Sequence, residues 1–128
     1  MDPDYFKTKE EFVEKFKART KTFAVDVIKL CKELPKNPSS RVISYQIIKS
    51  ASSVAANYRA ACRARSNKEF YAKLCIVVEE ADESEFWIDL LIEAELLENK
   101  TQLENLHKES IEIMKIVSSA RKKAKGRL

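Results

Sequence analysis

A chain of 128 residues and 14.8 kDa has the length for one compact core and too little for two. Hydrophobic residues make up 45%, charged residues 34%, and the formal net charge is +4, which reads as a soluble globular domain with a heavily solvated surface. The one glycine, Gly126, excludes phosphate-cradling loops, dinucleotide fingerprints and nucleophile elbows, and the one histidine, His107, excludes a His-rich metal site.

The first predicted helix spans 9–34. It opens on the capping box Thr8-Lys9-Glu10-Glu11, in which the threonine accepts from a backbone N–H and the glutamate reaches back to another. Phe16, Thr20, Phe23, Val27, Leu30 and Leu34 step by fours and threes along it, placing one stripe against a neighbour. Asn37-Pro38 starts the second helix, 38–64, with Asn as N-cap and Pro where its missing donor costs nothing; its stripe is Ile47, Ala51, Val54, Tyr58 and Ala61. A second capping box, Ser66-Asn67-Lys68-Glu69, opens the third helix, 67–98, striped by Phe70, Leu74, Val77, Ala81, Ser84, Ile88 and Leu91. The fourth, 102–124, follows Thr101-Gln102-Leu103-Glu104 and carries Leu103, Leu106, Ser110, Ile113, Val117 and Ala120. Short connections make successive helices antiparallel, so residues 1–128 read as a single all-α domain, an up-down-up-down four-helix bundle.

Charge is unevenly placed along these helices. Every charge between Leu74 and Asn99 is negative: Glu79, Glu80, Asp82, Glu83, Glu85, Asp89, Glu93, Glu95 and Glu98. Basic residues gather at Arg59, Arg63, Arg65 and Lys68, and again in the tail 121–128 at Arg121, Lys122, Lys123, Lys125 and Arg127. Either cluster would attract a phosphate backbone. For the first, pairing with carboxylates of the third helix is the competing reading; for the tail, complementing the helix dipole and solubilising the chain compete. Tyr58 or Tyr71 would offer a stacking surface, though Tyr58 falls on the core stripe.

Other features point to structure more than chemistry. Glu104 and His107 form only half of the di-iron pattern of helical bundles, so neither a metal nor another cofactor is expected, and no catalytic residue is assigned. Cys31, Cys62 and Cys75 sit in apolar helical patterns without Cys-x-x-Cys pairing and read as buried reduced thiols. The acidic start Met1-Asp2-Pro3-Asp4 and the absence of a membrane-length apolar run make a cytoplasmic location the expectation. Between Phe86 and Leu97 apolar residues cover most of the third helix. That segment either sees several neighbours in the bundle or forms a subunit interface through Phe86, Trp87, Leu90 and Leu91.

Two segments carry a resemblance: Lys49-Ser-Ala-Ser-Ser-Val-Ala-Ala-Asn57-Tyr-Arg-Ala-Ala-Cys-Arg-Ala-Arg65-Ser-Asn-Lys-Glu-Phe70, and Glu79-Glu-Ala-Asp-Glu-Ser-Glu-Phe-Trp87-Ile-Asp-Leu. In order and spacing they resemble the bacterial four-helix-bundle family of 23S rRNA intervening-sequence proteins, over residues 22–120. The family's commoner Ile-Ala-Glu-Gly after the asparagine is here Tyr58-Arg59-Ala60-Ala61, which keeps the helix unbroken and more basic. The resemblance implies a ring, usually a homopentamer, and no enzymatic activity. A related branch, the accessory variability determinant of diversity-generating retroelements, binds nucleic acid and a reverse transcriptase.

The resulting expectation is a non-enzymatic, ring-forming bundle that binds RNA or DNA through Arg59, Arg63, Arg65, Lys68, Arg121, Lys122, Lys123 and Lys125. A protein partner such as a reverse transcriptase is included, and a membrane is not. Asn57 and Glu80 are expected to satisfy buried polar groups between helices, and Trp87 to pack while donating its indole N–H. The alternative is a protein-interaction scaffold that uses the acidic helix and the Phe86–Leu97 patch without nucleic acid.

Overall fold

The computed structural model describes the backbone of residues 3–128 and the side chains from Lys9 onward. It holds four helices and, among the described residues, no strand: α1 (Pro3–Cys31), α2 (Pro38–Cys62), α3 (Asn67–Ala94) and α4 (Thr101–Gly126). Each helix packs against the next, and α4 returns to α1 through the sparsest of the four seams. The helices therefore run up, down, up and down around one core.

The four-three stripes are the core. Phe16, Phe23, Val27, Leu30, Ile47, Val54, Leu74, Val77, Ile88, Leu91, Leu103, Ile113 and Val117 are all buried. Phe16 of α1 meets Tyr58 of α2 edge to face, with ring centres 4.7 Å apart, an arrangement that favours aromatic pairs beyond their area alone. The small stripe residues carry their own solution to burial. Thr20 and Ser110 donate to the carbonyls of Lys17 and His107 one turn back, at 3.0 and 2.7 Å, which removes the penalty of an orphaned hydroxyl. Between α2 and α3, Ser84 Oγ lies 3.0 Å from Ser50 Oγ, and each hydroxyl also reaches a carbonyl of its own helix.

Helix ends follow local chemistry in two cases and depart from it in three. Asn37 accepts from the Ser40 N–H at 2.9 Å and Ser66 from the Glu69 N–H at 3.1 Å, as N-caps should. The reciprocal half of the Ser66 capping box does not form, because Glu69 turns to Arg65 at 3.6 Å. The Thr8 box does not start α1: backbone is already helical from Pro3, and the Thr8 side chain lies outside the described residues. Thr101 is likewise inside α4 rather than capping it, and Asn99 Oδ1 accepts the Thr101 N–H at 3.0 Å in its place. At the other end of that loop, α3 stops at Ala94, earlier than its apolar pattern suggests. Glu95 there adopts a left-handed conformation, φ 54° and ψ 41°, uncommon outside glycine and asparagine. Leu96 and Leu97 then pack on the core from the loop instead of from a helix.

The sparse α1–α4 seam is bridged by one fork. Arg19 donates from Nε and Nη2 to the two carboxylate oxygens of Glu109, at 2.9 and 2.6 Å. Both side chains remain about one third exposed, at 37% and 31%, so solvent screening limits the pair to about 1 kcal/mol or less despite its geometry.

Candidate nucleic-acid interface

Antiparallel packing decides which charged residues meet. The Ser50–Ser84 contact fixes the register of α2 against α3, so moving along α2 toward its end moves back along α3 toward its start. Arg59 thereby falls level with Cys75 and Arg63 level with Tyr71, while Glu79 and Glu80 lie level with Ala55 and Val54. The α3–α4 register is set by His107 Nε2, 2.8 Å from Glu85 Oε1, and it brings Arg121 level with Tyr71 as well. Arg121 also lowers the pKa of the Tyr71 hydroxyl, in keeping with this placement. The basic residues at the end of α2, the start of α3 and the end of α4 are thus gathered at one end of the bundle around Tyr71.

Local structure makes that end basic for a second reason. Arg63 is the C-cap residue of α2, its backbone N–H donating to the Ala60 carbonyl at 3.1 Å, and Lys123 and Lys125 occupy the last turn of α4. Cations placed there oppose the negative ends of two helix dipoles. Arg59, Arg63, Lys68, Lys122, Lys123, Lys125 and Arg127 are exposed and Arg121 is half-exposed; among the described residues none of them forms an ion pair. Arg65 is 90% exposed in its side chain and meets only Glu69, at 3.6 Å. Apart from Glu69, no carboxylate of α3 pairs with these cations among the described residues, because the register sets Glu79 and the acidic residues after it further along the bundle, level with Ala55 and the α2 residues before it. Opposing charge at the basic end comes instead from α1, where Glu10 and Glu11 are exposed and Glu14 is held by Lys17 at 2.9 Å.

The two tyrosines divide as their stripes imply. Tyr58 is 6% exposed behind Phe16, and its hydroxyl is pushed up by burial and by Cys62 and Glu14. Tyr71 is half-buried at the basic end, where the neighbouring Cys75 thiol raises its pKa while Arg121 lowers it. Its ring lies beside these cations, where a base can stack.

The remaining expected roles are partly corrected. Asn57 Nδ2 donates to the carbonyl and hydroxyl oxygens of Ser53, at 3.0 and 2.9 Å, so it ties one turn of α2 to the next rather than joining two helices. Glu80 accepts no hydrogen bond on its carboxylate among the described residues; the polar link between helices that sequence reading missed is Ser50–Ser84. Leu91 is only 1% exposed, so it belongs to the bundle's own core and offers nothing to a second copy. Ile88 is equally buried, and Trp87, Ile92, Leu96 and Leu97 pack against that core, which absorbs most of the apolar surplus on α3. Trp87 does donate its indole N–H, to Glu83 at 3.2 Å. Phe86 is left 54% exposed, edge to face with Trp87, and Leu90 is half-exposed. His107 turns to Glu85 on α3 rather than joining Glu104, and among the described residues no three His, Cys, Asp or Glu side chains converge as metal ligands. Cys31, Cys62 and Cys75 are free thiols, half-buried rather than fully enclosed.

Glu80 makes the acidic half of α3 testable. Desolvation raises its pKa first, Glu83 and Glu79 add to this, and Lys49 opposes it. A carboxyl whose folded pKa lies above its unfolded one favours folding when protonated, and that contribution is lost as pH rises through the folded value. Glu80→Gln is therefore expected to raise the thermal midpoint near neutral pH and to leave it unchanged in acid below the ordinary glutamate range. A thermal melt series against pH measures both ends of that window.

Comparison with known proteins adds family to geometry. The model of the family described as 23S rRNA-intervening sequence protein matches residues 15–119. Among solved structures, a protein of unknown function from the S23 ribosomal protein family of Bacteroides thetaiotaomicron VPI-5482 is similar, at 36% sequence identity and a TM-score of 0.77. The match covers 86% of this chain and 97% of that one. No curated protein matches the chain. No helix among the described residues is long and apolar enough to cross a membrane.

Proposed function

Because the chain belongs to the 23S rRNA-intervening sequence protein family, we propose that it is a non-enzymatic helical bundle that binds RNA or DNA through its basic end. The observation that carries this reading is the convergence of Arg59, Arg63, Arg65 and Lys68 with Arg121, Lys122, Lys123 and Lys125 around Tyr71, with only Arg65 engaged by a carboxylate among the described residues. Cations without partners cost nothing to redirect toward phosphate, and each phosphate they neutralise releases counterions. The family's name ties it to ribosomal RNA, which makes a single-stranded or structured RNA the first ligand to try.

Self-assembly belongs to the same proposal. Copies join as a ring, a homopentamer, using the exposed Phe86 with Trp87 and Leu90, and the ring repeats the basic end around one rim. Repetition raises affinity for a polymer without any new kind of contact. In the cytoplasm such a ring would serve as an accessory to a nucleic-acid-processing enzyme such as a reverse transcriptase. A second reading, a scaffold for a protein partner, is favoured by one feature: Phe86 is exposed beside the exposed carboxylates of Asp82 and Glu83.

Fluorescence anisotropy of labelled single-stranded RNA and DNA against salt separates the two. Binding whose logarithm falls linearly as the logarithm of salt rises is expected. Absent or salt-independent binding would reject the nucleic-acid reading and leave the scaffold.

A further inference from the structure

Two outer faces of the bundle carry the same pattern in opposite charge. Lys21, Val25, Ile28 and Lys32 step by fours and threes along the solvent side of α1 to its end, and Val25 and Ile28 are each 39% exposed. Glu83, Phe86, Leu90 and Glu93 do the same on α3, with Phe86 the more exposed of the apolar pair. We propose that the α1 face receives the α3 face of a second copy of this chain. The contact is head-to-tail; it rests on the self-assembly proposed above and supplies the surface that Phe86 docks against.

Charge complementarity is the first support. From Lys15 to Lys32 the one carboxylate is Asp26, whereas the stretch from Leu74 to Asn99 carries no cation. Lys21 and Lys32 are exposed and form no ion pair among the described residues, and the same holds for Glu93. Glu83 is also exposed and accepts only the Trp87 indole N–H there. In each pattern two apolar side chains lie between two charges. Those charges are about 16 Å apart along α1 and about 15 Å apart along α3, so the two patterns match in length. Bringing them together covers apolar surface that the bundle itself leaves open and sets cation against carboxylate at both ends.

Placement is the second. Among the described residues α1 and α3 share no seam, so they stand diagonally in the bundle and run in the same direction. Their outer faces point to opposite sides, which lets every copy receive one neighbour on each side and lets the repeat close as a ring. Internal contacts also set the two faces at one height. Counted through α2, Phe16 against Tyr58 and Ser50 against Ser84 bring Val25 level with Glu85. Counted through α4, Arg19 against Glu109 and Glu85 against His107 bring it level with Asp89. Phe86 lies between these limits, and the same counts set Leu90 with Ile28, Glu83 with Lys21 and Glu93 with Lys32. Upright copies pointing the same way therefore meet in register without sliding. Val42 and Tyr45 are exposed too, but α2 packs directly beside α3, so their surface adjoins the Phe86 face instead of lying across from it.

Light scattering of the intact protein and of charge-reversed variants tests the pairing. Exposed ion pairs hold weakly, so removing one charge should matter little, whereas reversal sets like charges opposite each other. Wild type is expected at the mass of several copies. Lys21→Glu with Lys32→Glu should fall to the mass of one chain, and so should Glu83→Lys with Glu93→Lys, both with unchanged helical circular dichroism. An equal mixture of these two variants should regain a multi-copy mass, because each presents the charge that the other needs. Arg41→Glu with Lys49→Glu makes the same charge change on the outer side of α2 and should keep the wild-type mass. A multi-copy wild type whose mass survives Lys21→Glu with Lys32→Glu would overturn the pairing and leave assembly through Phe86 standing. A mixture that stays at one chain, or a loss of mass in the α2 variant equal to that in the α1 variant, would also overturn it. A wild type that is itself a single chain would reject self-assembly and this contact together.

Discussion

Replacing Arg59, Arg63 and Arg65 together by alanine is expected to lower affinity for single-stranded RNA on the order of 100-fold at ~0.1 M salt. Each neutralised phosphate contributes a slope of about −0.7 in the logarithm of affinity against the logarithm of salt. Losing three such contacts flattens the slope by about 2, and one decade below the salt at which the effect vanishes that is about two orders of magnitude. All three side chains are exposed, and the lone ion pair among them, Arg65 with Glu69, is a solvated one, so folding should be nearly untouched. A matched variant, Lys21→Ala, Lys29→Ala, Lys108→Ala, removes the same charge from other exposed positions and should keep most of the slope. Equal losses in the two variants would mean that net charge, rather than the converged end, does the binding.

Neighbouring residues on α3 should separate folding from assembly. Ile88 has no exposed surface, and Ile88→Ala is expected to destabilise the bundle by about 2–5 kcal/mol through lost transfer energy and a residual cavity. For a chain of this length the thermal midpoint would fall on the order of 10 °C. Phe86, two residues earlier, is 54% exposed and packs mainly on Trp87. Phe86→Ala should therefore change the melt of an isolated bundle little, within about 1 kcal/mol, while reducing the mass measured by light scattering if copies join through that face. A Phe86→Ala protein with undiminished mass would remove this face from the proposed ring.

The contrast between these two residues also explains what could be read before any coordinates. Stripe positions such as Phe23, Val54, Ile88 and Val117 are legible because a four-three spacing can satisfy burial in only one way on a helix. Asn37-Pro38 and Ser66 are legible as starts because their chemistry is local. Thr101 is misleading, since Asn99 two residues before it takes over the backbone N–H, and asparagine is the better cap of the two. The end of α3 is misleading for the opposite reason: Leu96 and Leu97 continue an apolar pattern that the core accepts equally from a loop.

Less of the candidate interface was legible than of the core. Its residues are visible as two separate basic runs, and the join between them is a matter of register. That register is written in Ser50, Ser84, Glu85 and His107; the three others look ordinary in sequence, and His107, though the one histidine, does not reveal its partner there. Serine on a core stripe reads as a small spacer until its partner on the next helix is known. Leu91 is legible as a stripe residue and is buried as one; only its further placement at a subunit interface fails, because a helix with apolar residues around most of its circumference does not announce which side its neighbours occupy.

Ultraviolet crosslinking of single-stranded RNA to the intact protein, followed by peptide mapping, tests the joined basic end most directly. Adducts are predicted in both segments at once, Arg59–Lys68 with the adjoining Tyr71 and Arg121–Arg127, and they should disappear together as salt is raised. Adducts concentrated on Glu79–Glu98 or around Phe86, or in one basic segment without the other, would contradict it.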